Sequence, residues 1–138
     1  MKKNIPENLF KKIKENVPLS CVDFILIKNN EFFLVKRDIP PYKGKWCLPG
    51  GIIKRSQKID DRLKQVGREE LGIKIRVVKP LGFYEKIYPN RHDISHCFIV
   101  KTNDSEIILD HQASKGKFFR KIPNNIAPFH YTMLRDAG

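Results

Sequence analysis

The sequence has no long hydrophobic run and no continuous apolar segment near its N-terminus. Its longest apolar stretches, such as residues 24–27 and 107–109, are far shorter than the roughly 18–20 residues that cross a bilayer. The N-terminal segment is basic, but it carries neither an apolar core nor a small-residue cleavage site. We therefore expect no membrane span and no secretory signal.

Cysteine is also scarce, and its distribution excludes a disulfide framework. Cys21, Cys47 and Cys97 are odd in number, lie far apart in the chain and are each followed by an apolar residue. They form no pair with the close spacing typical of a metal site. We predict three buried free thiols, a reducing compartment and a cytoplasmic location.

Acidic residues are few relative to basic ones. The chain has 27 Lys and Arg against 15 Asp and Glu, a formal net charge of +12. Such an excess favours polyanionic partners: a nucleotide, a nucleic acid or an anionic surface. Abundant lysine that merely keeps the protein soluble explains the charge equally well, so charge alone does not decide the function.

The length and hydrophobic pattern predict one mixed α/β domain spanning residues 1–138. The chain is 138 residues long and 41% apolar, which suits a single core. Helices near the beginning, middle and end of a run of strands indicate a sheet covered on both faces. Three helices are predicted: one over residues 6–16, one from an N-cap at Ser56 to a stop at Gly72, and one over residues 126–136. The predicted strands span 20–28, 31–37, 73–78, 80–88, 94–101 and 115–121. Loops are predicted at 38–46 and 89–93, and a turn at 102–105.

The chemistry is concentrated between the paired glycines Gly50 and Gly51 and the end of the following helix, which carries Glu69 and Glu70. Glycine lets the backbone approach a metal or a phosphate closely, because it has no Cβ. A hard divalent cation such as Mg²⁺ prefers oxygen ligands and needs few protein groups. A metal ion held there would neutralise a bound diphosphate and stabilise a departing phosphate.

These residues resemble the Nudix box. When the box is aligned from Gly51, its ending fits at Glu69, Glu70, Gly72 and Ile73. Its middle departs, because Gln57 replaces the first glutamate and Gln65-Val66 replaces the arginine–glutamate pair. That glutamate serves as metal ligand or base in general Nudix enzymes. The resemblance implies a Nudix-type α/β/α sandwich with a mixed, partly antiparallel sheet.

A narrower similarity, over about residues 9–119, is to the GDP-mannose mannosyl hydrolase branch of that family. The matching motifs are Pro18-Leu19, Asp23-Phe24-Ile25, Lys36-Arg37, the glycine-rich segment 44–51 and Glu70-Leu71-Gly72. In that branch water attacks the anomeric carbon of a nucleotide sugar, and the nucleoside diphosphate leaves with the help of one Mg²⁺. The resemblance also implies a homodimer.

The resemblance implies a metal site formed by the Gly50 carbonyl, the Glu70 carboxylate and Gln112, for Mg²⁺ or, alternatively, Mn²⁺. In the branch the glutamine precedes a histidine that acts as general base, but here Ala113 follows Gln112. His111 is the candidate replacement, although adjacent residues on an extended segment point to opposite sides. Losing a general base typically costs on the order of 10²–10⁴-fold in rate.

Substrate contacts are expected from Asp23, Lys36 and Arg37. Arg37 matches the arginine that contacts the diphosphate in the branch, and Lys36 is a second candidate for phosphate. Asp23 lies in an apolar strand. We expect its carboxylate either to accept a hydrogen bond from a substrate hydroxyl or to pair with another residue, such as Arg37. The branch has an arginine directly after the paired glycines, whereas this chain has Ile52.

Three functions follow from the sequence, and they differ in class. The leading hypothesis is a Mg²⁺-dependent Nudix-type hydrolase of a nucleoside diphosphate sugar, with Arg37, Glu70 and His111 as catalytic candidates. The alternative is a catalytically weakened nucleotide-binding or regulatory domain, favoured by Val66, Ala113 and Ile52 together. A nucleic-acid binder comes last, because no recognition motif accompanies the charge.

Overall fold

A seven-stranded mixed sheet lies at the centre of the computed structural model, which describes residues 5–40 and 42–138. The main strand order is β3-β2-β1-β6-β5, with β4 paired to β1 and β7 paired to β2. The predicted mixed α/β fold is confirmed. The elements are α1 (Glu7–Asn16), β1 (Leu19–Lys28), β2 (Glu31–Arg37), β3 (Trp46–Cys47), β4 (Gly50–Ile52), α2 (Ile59–Leu71), β5 (Ile75–Tyr88), β6 (Arg91–Thr102), β7 (Ala113–Phe119) and α3 (Pro128–Ala137).

Strand β1 changes its antiparallel partner partway along its length. On one side it pairs in parallel with β6 throughout residues 19–26. On the other side, among the described residues, it pairs with β2 only at Ile27 and Lys28, next to the hairpin turn, and with β4 at residues 21–23. The far end of β2 pairs instead with β3 and β7. Strands β1 and β2 are therefore not joined over the stretch that contains Asp23 and Arg37.

Helices α2 and α3 are associated with different apolar clusters. Leu63 and Val66 of α2 are buried with Phe24 and Leu26 of β1. Met133 and Leu134 of α3 form part of a second cluster, which includes Ile25 of the same strand. Since successive residues of a strand point to opposite faces, β1 contributes alternate side chains to the two clusters.

The predicted start of α2 at Ser56 is wrong. Ser56 has a φ of 65° in a turn, so it lacks the extended backbone of an N-cap. The N-cap is Lys58, and Asp60 and Asp61 occupy the first turn. The predicted stop is correct, because Gly72 adopts a left-handed φ of 65° and its N–H donates to Arg68 O at 3.0 Å.

Several strand boundaries also differ from the prediction. The predicted strands at 73–78 and 80–88 are one strand, β5, whose pairing with β6 shifts on either side of Pro80. Proline cannot donate a ladder hydrogen bond, but an edge strand tolerates it at a bulge. Strand β6 begins at Arg91, so the predicted 89–93 loop is a tight turn; residues 103–110 lack regular structure, beyond the predicted turn at 102–105.

The termini and the thiols are close to expectation. Helix α1 begins one residue later than predicted, whereas α3 begins at Pro128 and β7 at Ala113. Residues 1–4 of the predicted N-terminal segment and Pro41 of the predicted 38–46 loop lie outside the described residues.

Cys21, Cys47 and Cys97 are free and buried, as predicted. Among the described residues, no helix is long and apolar enough to span a membrane.

We expect Leu63→Ala to lower the free energy of unfolding by about 2–5 kcal/mol, because Leu63 is fully buried beneath the sheet and truncation leaves a cavity. Urea denaturation measures the change. The matched control is Lys64→Ala on the next, exposed position, which loses a surface pair with Asp60 worth about 0.3–0.5 kcal/mol. Equal losses in the two variants would contradict the assignment of Leu63 to the core.

Candidate active site

A cavity of about 560 Å³ is lined by the part of β1 that pairs with β4 and by the end of β2. This volume is within the range of small-molecule sites. Its wall carries six basic side chains against three acidic ones, so the net positive charge suits an anionic ligand. The basic residues are Arg37, Lys54, Arg55, Arg62, Lys86 and Arg91, and the acidic residues are Asp23, Glu70 and Asp93.

The three predicted metal ligands Gly50, Glu70 and Gln112 all line this cavity. Gly50 pairs with Asp23 across the β1–β4 ladder. A Cβ on Gly50 would collide with the Asp23 carboxylate and the Val22 carbonyl, so glycine is required here for packing reasons. The close approach of the two strands thus depends on the residue whose carbonyl is the predicted ligand.

Gln112 reaches the cavity because the preceding loop is fastened to the end of α2. Asp110 N–H donates to Glu70 O at 3.2 Å, and the Asp110 side chain accepts from Gln112 N–H at 3.0 Å. The Gln112 carbonyl in turn accepts from Asp38 N–H at 2.9 Å, just beyond Arg37. These hydrogen bonds bring residues that are distant in sequence to one wall of the cavity.

The Glu70 carboxylate has an unusually high pKa. Burial, and secondly the nearby Asp110, raise the pKa of Glu70 to about 8, although Arg62 and Arg37 oppose the rise. A bound divalent ion would favour the ionised form. Among the described residues, no three His, Cys, Asp or Glu side chains cluster as a metal site. One carboxylate, one carbonyl and one amide oxygen nevertheless suit Mg²⁺, which keeps several waters.

Arg37 is brought to the same cavity from the end of β2. Its Nε donates to Ile39 O and its Nη2 to Pro40 O, both at 3.2 Å. These bonds hold the guanidinium beside its own loop, and the pairing with Asp23 considered from the sequence is not formed. The remaining N–H groups of Arg37 suit a bidentate contact with phosphate.

The structure does not bring Lys36 or His111 to the cavity. The Lys36 ammonium lies 5.9 Å from the centre of the Trp46 ring, away from the residues that line the site. His111 is exposed in a turn and is not part of the cavity wall, whereas its neighbour Gln112 is. Ala113, at the position of the expected base, packs against the core.

Asp23 is the centre of a buried charge cluster. It is 4% exposed; its carboxylate accepts from Lys86 Nζ at 2.6 Å and from the Ser95 hydroxyl. His130 Nε2 lies 3.5 Å from the same carboxylate, while His130 Nδ1 accepts from Leu48 N–H at 3.0 Å. In a neutral ring that bond leaves the proton on Nε2, which also lies 3.0 Å from Lys86 Nζ.

The pKa values in the cluster follow from its geometry. Burial opposes ionisation of Asp23, but Lys86 and then His130 outweigh it and lower its pKa. Burial likewise opposes the charge on Lys86, but Asp23 prevails and raises its pKa. Burial and the Lys86 cation lower the pKa of His130. The cluster therefore contains an ion pair beside a neutral imidazole.

Lys86 and His130 are not predicted as site residues from the sequence. One available signal is alternation along β5, where Lys86 lies two residues from both Tyr84 and Tyr88 and thus shares their face of the sheet. In α3, His130 lies near Met133 and Leu134, which belong to its buried stripe. Both patterns indicate polar groups that face inward, but neither identifies Asp23 as their common partner.

Comparison with known protein families identifies the family of this chain. Residues 18–131 match the family model described as NUDIX domain. The chain belongs to the NUDIX domain family. The Nudix resemblance is therefore confirmed, and with it the membership in a family of hydrolases.

Two known proteins are similar in sequence. Low-salt glycan biosynthesis protein Agl8 of Haloferax volcanii is 29% identical over 133 residues, covering 91% of this chain and 85% of the relative. ADP-ribose pyrophosphatase of Methanocaldococcus jannaschii is 32% identical over 104 residues, covering 74% of this chain. The match spans 62% of the length of that second relative.

Solved structures support the Nudix fold. The MutT NUDIX hydrolase from Burkholderia pseudomallei superposes with a TM-score of 0.84 at 18% identity, covering 89% of this chain and 100% of that one. A NUDIX hydrolase from Nitrosomonas europaea gives 0.76 at 24% identity, covering 86% and 68%. At these identities the likeness establishes the fold alone.

We expect Lys86→Met to lower the free energy of unfolding at pH 7 by about 3–5 kcal/mol, because ionised Asp23 then loses its buried partner. Protonation of Asp23 removes this penalty. The difference in the free energy of unfolding between the variant and the wild type should therefore narrow as the pH falls from 7 toward 3.8, the ordinary pKa of an aspartate. Urea denaturation at several pH values measures it.

The control is the double variant Asp23→Asn/Lys86→Met, which removes both charges and should recover part of the lost stability. If the single and double variants are equally destabilised at every pH, the loss reflects packing of the lysine stem and not the ion pair.

Proposed function

We propose that this chain is a Mg²⁺-dependent hydrolase of a nucleoside diphosphate sugar, which releases the sugar and the nucleoside diphosphate. The observation that carries the proposal is the convergence of Gly50, Glu70, Gln112 and Arg37 on one cavity. Of the described residues that line it, Glu70 is the single carboxylate that α2 contributes. One carboxylate with neutral oxygen donors suits one Mg²⁺ bound to a diphosphate.

The environment of Val66 supports attack at carbon over attack at phosphorus. General Nudix enzymes have a glutamate at this position, but Val66 is 1% exposed and belongs to the core. The side chain of the adjacent Gln65 is already hydrogen-bonded on both sides. It accepts a hydrogen bond from Gln57 at 2.7 Å and donates one to Glu69 at 3.1 Å. This stretch of α2 therefore offers no base and no second carboxylate for phosphorus chemistry at the cavity.

In the proposed reaction the oxygen of water attacks the anomeric carbon. The bond from that carbon to the β-phosphate oxygen breaks, its electron pair stays on the phosphate, and a proton of the water is released to the solvent. Glu70, the Gly50 carbonyl and Gln112 would hold the divalent ion, which supplies charge neutralisation on the diphosphate when bound. Arg37 would donate hydrogen bonds to the phosphate oxygens, which gain charge as they depart.

Other residues of the cavity wall have side chains that suit a sugar. Tyr42 and Tyr88 present rings 5.8 Å apart, and both line the cavity together with Asp23 and Lys86. Aromatic faces pack against sugar rings, while the carboxylate and ammonium can bind hydroxyls. Tyr42 has a φ of 64°, an uncommon conformation for an aromatic residue that is often associated with functional sites.

The named relatives are compatible with this substrate class. One takes its name from glycan biosynthesis and the other from ADP-ribose, in which a diphosphate links a nucleoside to a sugar. GDP-mannose is the first candidate from the resemblance of the sequence, and we extend the proposal to a homodimer on the same ground.

A second function is supported by the missing catalytic groups. Ala113 packs against the core, His111 is exposed, and Ile52 replaces an arginine. These features favour a nucleotide-binding or regulatory domain with weak catalysis. The two proposals differ in turnover, while both require binding of a nucleoside diphosphate and a divalent ion.

The proposal predicts hydrolysis of at least one member of a panel that includes GDP-mannose and ADP-ribose, in the presence of Mg²⁺ and water enriched in ¹⁸O. We expect the label in the released sugar, because water attacks carbon. Chromatography and mass spectrometry identify the products. Glu70→Gln should lower kcat at least about 10²-fold by removing the charged metal ligand, and it also controls for contaminating hydrolases.

Label in a phosphate group would contradict attack at carbon and indicate ordinary Nudix chemistry. Mg²⁺-dependent binding of a nucleoside diphosphate without turnover of any substrate would favour the binding domain. EDTA should abolish both binding and turnover if the divalent ion is required.

A further inference from the structure

Arg62, in the first turn of α2, reaches back over the paired glycines. Its Nε donates to the Ile52 carbonyl at 2.8 Å, and its side chain lines the cavity that contains Glu70. A Cβ built on Gly51 would lie 2.9 Å from Arg62 Cζ and 3.1 Å from its Nε. The guanidinium therefore occupies the space left by the missing side chain of Gly51.

The hydrogen bonding of Arg62 leaves cationic donors available. An arginine side chain has five N–H donors, and the bond to Ile52 uses the one on Nε. Among the described residues, no carboxylate forms an ion pair with Arg62. Two other basic residues of the cavity differ in this respect, because Lys86 is paired with Asp23 and Arg91 with Asp93.

Arg62 lines the same cavity as Arg37. The Glu70 carboxylate belongs to that cavity as well. A diphosphate beside an ion held by Glu70 would therefore lie in the combined field of two arginines, one from β2 and one from α2. Guanidinium groups form charge-assisted, bidentate bonds with phosphate.

We infer that the Arg62 guanidinium binds the diphosphate of the substrate and supplies the positive charge that position 52 lacks. Arg62 is then a catalytic residue, since it contacts the leaving group and stabilises the charge that grows on it as the bond to the anomeric carbon breaks. The inference rests on the proposed function. It also gives Gly51 a role, because a larger residue would displace the guanidinium.

Binding of inorganic pyrophosphate with Mg²⁺, measured by titration calorimetry, tests the inference without requiring turnover. Arg62→Gln should weaken binding by about tenfold to a hundredfold, as expected for lost hydrogen bonds between charged groups. The matched control is Arg68→Gln, which removes the same charge from an exposed position on the same helix and should change the affinity less than about twofold.

Two further variants separate a specific role from a folding defect. Ile52→Arg in the Arg62→Gln background should recover most of the affinity, by returning a guanidinium to the wall of the site. Gly51→Ala keeps the net charge but should displace Arg62 and weaken binding to a similar extent. Thermal melting of every variant confirms that the fold is retained.

Equal affinities of Arg62→Gln and Arg68→Gln would overturn the inference and leave the proposed function intact. Failure of the wild-type protein to bind pyrophosphate with Mg²⁺ would overturn both. If turnover is found, kcat should fall more than KM rises in Arg62→Gln, because the contact strengthens as the diphosphate departs. A rise in KM with unchanged kcat would mean that Arg62 binds the ground state and the transition state equally, and it would overturn the catalytic role.

Discussion

The change of hydrogen-bonding partner along β1 is the constraint on which the site depends. Hydrogen bonds to β2 at Ile27 and Lys28 give way to hydrogen bonds to β4 at residues 21–23. The intervening chain must therefore leave β2, form the loop and β3, and return beside β1 with its backbone close to Asp23. Gly50 makes this return possible, and residues of β1, β2 and β4 line the cavity.

A buried charge cluster lies against this junction. Asp23 is near the point where β1, β4 and β6 meet, and Lys86 and His130 reach it from β5 and α3. Ionised groups are costly to bury unless they are paired, so the cluster restricts how the edge strand and the last helix dock on the sheet. The elements that form one end of the cavity are thereby coupled through a single carboxylate.

Local signals in the sequence predicted the local structure well. Asn29 and Asn30 have φ values of 53° and 62°, as suits a tight turn between the predicted strands at 20–28 and 31–37, and Gly72 ends α2. Boundaries failed where a local preference competed with pairing: the strands predicted at 73–78 and 80–88 are one, because ladder bonds with β6 carry β5 past Pro80.

Of the residues that line the cavity, those that stand in recognisable motifs could be predicted from the sequence. Gly50, Glu70, Arg37 and Gln112 stand at recognisable positions, and the structure brings them together. Lys86, His130 and Arg62 have no such signal, because their roles arise from contacts between segments far apart in the chain or, for Arg62, from the direction in which a side chain folds back. The absence of a base at Ala113 was visible in the sequence, whereas its packing against the core was not.

The buried thiols have a chemical consequence for the cavity. Cys21 and Cys47 line it, and burial is the main cause that raises the pKa of each to about 12. At neutral pH roughly one in 10⁵ such thiols is ionised, and the thiolate is the nucleophilic form. An electrophilic carbon bound there would meet almost no competing sulfur nucleophile, so covalent capture by the protein would be disfavoured and water would remain the available acceptor.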